Sequence, residues 1–222
     1  MQTVAAALEE LKDRVVFVGG AVAELYATDP ENTEIRISED IDCIIQLASR
    51  SEYYKLEDEL RKKGFKNDTS SGAPICRWIF DGIKVDVMPA NESIIGFSNQ
   101  WYNKGLLSIV MKSLPDSNTI AVLSPAYYLA SKFEAHYSRG GHDLRQSRDF
   151  ADIVYVIENC ESILEEISDS DNEVKVYLAA SCGKLLRRDD LKEGIECVQS
   201  YSGSVDAEVI IDLINKIYAS GE

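Results

Sequence analysis

Three aspartates carry the first chemical signal in the chain. Asp40 and Asp42 flank Ile41 in the stretch Ser38-Glu39-Asp40-Ile41-Asp42-Cys43-Ile44-Ile45, at the entrance of an apolar run that reads as a strand from Ile41 to Leu47. Side chains two residues apart on an extended chain point to the same side, so Ile41 enters the core while both carboxylates stand together. Two like charges that close are costly unless a positive group lies between them, and a divalent cation is the natural partner. Asp86, in Lys84-Val85-Asp86-Val87-Met88, is the third. Alternation sends Val85 and Val87 to one face and Asp86 to the other, and a carboxylate inside an apolar strand needs a reason to be there. A ligand set of oxygens alone suits Mg²⁺ or Mn²⁺ better than zinc. A strand-end aspartate on its own is as readily a turn cap. It is the pair, the third aspartate and an upstream glycine turn together that point to a metal site.

A register argument adds Arg77. Asp81-Gly82 is the preferred two-residue hairpin turn, so Phe80 should face Ile83, Ile79 face Lys84, Trp78 face Val85 and Arg77 face Asp86. Arg77 then orients Asp86, meets a substrate phosphate, or forms a plain cross-strand ion pair. The glycine turn is Val15-Val16-Phe17-Val18-Gly19-Gly20, a strand leading into a helix; glycines let backbone approach a phosphate, and a helix start offers free N–H donors.

The elements that must position these groups follow from periodicity and punctuation. Residues 3–13 read as a helix on Ala5, Leu8 and Leu11, Val15–Val18 as a buried strand, and Gly20 to Ala27 as a second helix, before a polar turn at Asp29-Pro30-Glu31-Asn32. Ser51 is expected to cap a charged amphipathic helix that runs to about Lys63 and stops at Gly64. Arg77–Phe80 and Ile83–Met88 form the hairpin. The strand Thr119–Leu123 ends at Ser124-Pro125, a cap followed by a first-turn proline. Beyond it, Leu129, Phe133 and Tyr137 mark one helix face and Phe150, Ile153, Val154 and Ile157 the next, with three or four further helices to Ile217. The expected class is α/β (α+β): a mixed twisted sheet flanked by helices over residues 1–123, then a helical region over 124–222.

Composition narrows the setting. With 45% hydrophobic and 27% charged residues, the chain can bury a core. A formal net charge of -15 argues against coating duplex nucleic acid, while leaving room for a local basic groove. Such a groove is offered by Arg139-Gly140-Gly141-His142 with Arg145 and Arg148, which reads either as a site for an RNA end or triphosphate or as a linker balancing nearby acids. Five cysteines without a CxxC pair read as reduced thiols, four of them among apolar neighbours, and with two histidines no zinc site is expected. No apolar run reaches membrane-span length, and the start MQTVAAALEELKDR lacks the basic and apolar regions of a signal peptide, so a cytoplasmic location is expected.

A glycine turn before a helix, then a strand with two aspartates, then a later strand with the third, resembles the polymerase-beta-type nucleotidyltransferase superfamily. Within it the chain is most similar to the bacterial AbiEii-like or MenT-like nucleotidyltransferase toxins. The resemblance lies in VFVGGAVAELY, SEDIDCII, GAPICRWIFDGIKVDVMP and LSPAYYLASKFEAHYSRGGHDLRQSRDFADI, which span residues 16–153. One departure is a longer gap from Gly20 to Asp40, filled by the polar insert Asp29 to Ser38.

The resemblance implies transfer of a nucleoside monophosphate from an NTP to an acceptor hydroxyl on an RNA or tRNA end or on a protein, with Mg²⁺ or Mn²⁺ as cofactor. It implies that Asp40 and Asp42 hold the ions, that Asp86 ligates the catalytic one and helps deprotonate the acceptor, and that Gly19, Gly20 and Ser38 cradle the triphosphate. Lys132, read as opposite the apolar stripe of Leu129 and Phe133 on its helix, matches a lysine that contacts nucleotide phosphates in similar toxins. Asp149 matches a later acidic position, with Asp152 a weaker candidate. A cognate antitoxin is the implied partner, in a toxin–antitoxin or phage-defence pair. Two other functions share these residues: a nucleotide-binding regulatory module, and a nucleotidyltransferase that modifies a small cationic molecule of the aminoglycoside type.

Overall fold

The computed structural model describes residues 1–29, 38, 40–199 and 205–221. Most of the polar insert, including Pro30, Glu31 and Asn32 of the expected turn, lies outside them. Two compact units emerge: Met1–Val22 with Ile37–Leu123, and Ala23–Arg36 with Ser124–Glu222.

The first unit is built on a seven-stranded mixed sheet. Its strands are β1 (Val15–Val18), β2 (Asp40–Ile45), β3 (Lys66–Asn67), β4 (Arg77–Phe80), β5 (Ile83–Pro89), β6 (Ile109–Ser113) and β7 (Thr119–Leu123), in the spatial order β3-β4-β5-β2-β1-β7-β6. The β2–β5 and β1–β7 pairs are parallel, and the remaining pairs are antiparallel. The helices are α1 (Gln2–Leu8), α2 (Arg50–Lys62), α3 (Glu92–Ile95) and α4 (Tyr102–Gly105). Tyr53, Leu56 and Leu60 form the buried stripe of α2, at the spacing of three and four residues that an amphipathic helix requires.

Several boundaries differ from the sequence expectation for identifiable reasons. The expected helix over 3–13 divides into α1 and a 3₁₀ segment Glu9–Arg14. Its apolar residues Ala5, Leu8 and Leu11 recur every three positions, which is the 3₁₀ repeat. The Gly20 helix is also 3₁₀ and ends at Tyr26. Ser49, not Ser51, caps α2: its side chain accepts the Glu52 N–H at 3.3 Å while the Glu52 carboxylate accepts the Ala48 N–H at 2.8 Å. The S-x-x-E spacing of a capping box starts at Ser49 and is absent from Ser51. The strand through the aspartate pair runs Asp40–Ile45, two residues shorter at its far end than expected. The hairpin register is as expected, pair for pair, with Asp81 and Gly82 at φ 50° and 77° as the twist-matched turn demands.

The second unit is helical: α5 (Pro125–Ser138), α6 (Arg148–Asn159), α7 (Ile163–Ser168), α8 (Asn172–Leu186), α9 (Leu191–Gln199) and α10 (Ala207–Ala219). Pro125 occupies the first turn of α5 with Ser124 extended before it. All residues of α5 from Pro125 to Phe133 are buried, which makes it the central helix of this unit. Among the described residues no helix is long and apolar enough to cross a membrane.

Candidate metal centre and the buried ion network

β2 lies between β5 and β1, and this placement assembles the site. Asp42 pairs with Asp86 across the parallel β2–β5 ladder and with Val18 across β1, while Asp86 faces Arg77 on β4. Arg77, Asp86 and Asp42 therefore form one row across three strands on a single sheet face, with Asp40 two residues earlier on the same side. One carboxylate oxygen from each of Asp40, Asp42 and Asp86 lies within 4.8 Å of the others. Ile41 is buried between the paired aspartates, and Val85 and Val87 are buried on the opposite face.

Arg77 supplies the counter-charge. Its Nε donates to Asp86 Oδ1 at 2.8 Å and its Nη2 to Asp86 Oδ2 at 2.6 Å, a bidentate pair, and Nη2 also reaches Asp40 Oδ2 at 3.4 Å. The hydrogen bonds to Asp86, more than the charges of Asp40 and Asp42, raise the guanidinium pKa above its ordinary value. Three carboxylates against one guanidinium leave two formal negative charges, which one divalent cation would neutralise. Each carboxylate oxygen keeps a further lone pair, so the Arg77 contacts leave Asp86 able to bind a metal.

The donor set fits a hard cation. Cys43 follows Asp42 but is fully buried, and burial first, then the nearby Asp42 and Asp86 charges, pushes its thiol well up. Cys76 precedes Arg77, and its thiol is pushed up to about 12 by burial and then by Asp86. Both thiols stay protonated, so oxygen alone is offered, as Mg²⁺ or Mn²⁺ prefers. All five cysteines are free; Cys43, Cys76, Cys160 and Cys182 are buried and Cys197 is exposed.

The glycine turn has a task of its own here. Gly19 adopts φ +77°, and a Cβ on it would lie 2.8 Å from Asp42 Cγ. Asp42 thus stands where only a glycine leaves room, whatever else the turn binds. Gly20 begins the 3₁₀ turn. The Ser38 hydroxyl donates to the Asp40 carbonyl at 2.9 Å and steadies the entry into β2. Lys84, two residues before Asp86 and in register with Asp40, is an exposed cation on the same face that sequence reasoning missed. Its spacing from Asp86 is the signal that marks it.

Lys132 and Asp149 meet in the second unit. Lys132 Nζ lies 2.6 Å from Asp152 and 3.5 Å from Asp149, and Arg139 closes on Asp149 at 2.7 Å. Lys132, Asp149 and Asp152 are all buried. The expectation of a lysine facing away from an apolar stripe fails because α5 is buried nearly all round. Asp152, the weaker candidate by sequence, is the closer partner. Lys132 and His136 on α5, and Asp149 and Asp152 on α6, repeat at helical spacing, but that spacing alone does not say that the two helix faces meet. His136 is buried too, its Nδ1 2.7 Å from Ser147 Oγ, and burial lowers its pKa.

No family model matches the chain, and no curated protein does.

Two outcomes test this geometry. Arg77→Gln should destabilise the metal-free protein by about 3 kcal/mol, the low end for stripping one partner from a buried ion pair. Millimolar Mg²⁺ should restore part of the loss, as read by thermal unfolding with and without the ion; an equal loss in both conditions would deny that Arg77 and a cation share one role. In the second unit, His136 binds its proton less readily folded than unfolded, so the unfolded state holds more protons just below the ordinary value of about 6.5. Stability is therefore full above that pH and falls as pH drops below it. Urea denaturation at pH 7.5 and 5.5 should show the decline, and His136→Gln should flatten it.

Proposed function

We propose that the chain is a metal-dependent nucleotidyltransferase, moving a nucleoside monophosphate from an NTP to an acceptor hydroxyl on an RNA or tRNA end or on a protein, in the cytoplasm. The observation that carries this reading is the clustering of three carboxylates on one sheet face, with no nitrogen or sulfur donor among them. The glycine turn packed on Asp42 and the exposed Lys84 beside the triad support it.

A bound Mg²⁺ or Mn²⁺ would supply charge neutralisation for the phosphates and a lowered pKa for the attacking hydroxyl. Asp40 and Asp42, both half-buried, would present oxygens to it from β2, and Asp86 from β5. In the transfer, the acceptor oxygen bonds to the α-phosphorus, the bond to the β-phosphate breaks, and pyrophosphate leaves with the electron pair. The hydroxyl proton passes to a carboxylate. Arg77 holds Asp86 in a fixed orientation through two hydrogen bonds, and we assign Asp86 that role. Lys84 is placed to meet phosphate oxygens. Lys132 and Asp149, which the resemblance assigns to the nucleotide, are engaged with Asp152 and Arg139, so the first unit alone carries the proposal. A toxin of this kind would be restrained by a cognate antitoxin.

The test is transfer of label from each α-³²P NTP, with Mg²⁺ and total cellular RNA and protein as acceptors. Asp42→Asn should lower transfer roughly 10²–10³-fold, the scale for losing one preorganised electrostatic contact at a reaction centre. Undiminished transfer by Asp42→Asn would refute the assignment.

A further inference from the structure

The second unit contains a cleft of about 410 Å³ at the junction of α5 and α6, lined among others by His136, Arg139, Gly141, His142, Arg148 and Asp149. Its polar groups divide by type. Both of its carboxylates and two of its carbonyls are already engaged. Asp149 holds Lys132 and Arg139. Asp143 accepts the Arg145 backbone N–H at 3.1 Å and the Arg145 guanidinium at 2.9 Å. The carbonyls of Gly141 and His142 accept from Arg188 at 2.8 and 2.7 Å.

The donors are not. Arg148, the exposed first residue of α6, makes no ion pair or hydrogen bond through its guanidinium with any described residue, and neither does the exposed His142 imidazole. Arg139 is 72% exposed and bonds Asp149 through Nη1 alone. His136 adds a buried ring nitrogen. Ser147 Oγ accepts the Phe150 N–H at 3.2 Å and pairs with His136 Nδ1 at 2.7 Å; in the tautomer whose Nδ1 accepts the Ser147 proton, Nε2 carries the ring proton. That Nε2 has no hydrogen-bond partner among the described residues, and a Cβ on Gly141, at φ +47°, would come within 2.9 Å of it. A side chain at 141 would block the ring nitrogen. Carboxylates already paired with cations, beside guanidinium and imidazole groups that are not, favour an anion in the concavity.

From this pattern we infer that the cleft binds a terminal phosphate group, held by Arg148, His142 and His136 with Arg139 at its rim. The site does not depend on the aspartate triad, which belongs to the other unit. Its phosphate comes either from the end of an RNA strand or from free inorganic phosphate.

Isothermal titration calorimetry on the full chain, in divalent-free and phosphate-free buffer, tests this with three probes: inorganic phosphate, a 5′-phosphorylated RNA trinucleotide, and the same trinucleotide with a 5′-hydroxyl. The expected result is saturable binding of a phosphate-terminated probe at one site, weakened about tenfold by Arg148→Gln and again by His142→Asn, the scale for a hydrogen bond to a charged group. Both residues are exposed, so the variants should fold. Asp42→Asn and Arg50→Gln should leave the affinity unchanged. Tighter binding of the phosphorylated trinucleotide than of inorganic phosphate identifies an RNA end; equal binding identifies the free ion. Absence of saturable binding overturns the inference. So does an equal loss in Arg50→Gln, which would reduce the effect to net charge, or an equal affinity for the 5′-hydroxyl trinucleotide.

Discussion

Like charges share a sheet face only when something opposes them, and the first unit is organised around that constraint. Parallel pairing of β2 with β5 sets Asp42 directly beside Asp86, and Asp40 follows on the same side. Nothing in the ladder itself relieves the repulsion. Arg77 does so in part, from the neighbouring strand, through two hydrogen bonds to Asp86 and a longer reach to Asp40. Remove the hairpin register and the guanidinium moves to the other face. Remove the glycine at 19 and Asp42 loses its place. The negative charge carried by the triad is what the proposed divalent cation would meet.

The second unit solves a related problem differently. Lys132 is buried in the central helix, where an isolated ammonium would be untenable, and two aspartates from the next helix neutralise it. Arg139 then covers the outer side of Asp149. This balanced network consumes the acidic groups of the α5–α6 junction. Arg148 and His142 are left without such partners among the described residues, in an otherwise strongly acidic chain.

Local chemistry was readable from sequence wherever two or three residues decide it. Asp81-Gly82 fixes a turn, the turn fixes a register, and the register places Arg77 against Asp86. Alternation around Ile41 and Val85 fixes which side the carboxylates take. Ser124-Pro125 fixes the start of α5. Long-range pairing was not readable: no local signal says that β2 runs parallel to β5, or that β1 separates β2 from β7. The β6 strand was missed because its exposed alternation, with Ile109 and Met111 facing water, lacks the apolar run that marks a buried strand. Lys132 was placed on a polar face because a helix wheel knows nothing of the helices around it. The fold class and the composition of the triad were thus accessible. The role of the lysine needed the packing, and so did the donor-lined cleft.

The central claim is that Asp40, Asp42 and Asp86 together hold a divalent cation. Titrating the protein with Mn²⁺ and following the free-ion electron paramagnetic resonance signal measures this directly. The account predicts saturable uptake that Mg²⁺ displaces, and a loss of at least about tenfold in affinity when Asp40 and Asp42 are both changed to asparagine. Uptake unaffected by that double substitution, or no saturable uptake by the unaltered chain, would contradict it.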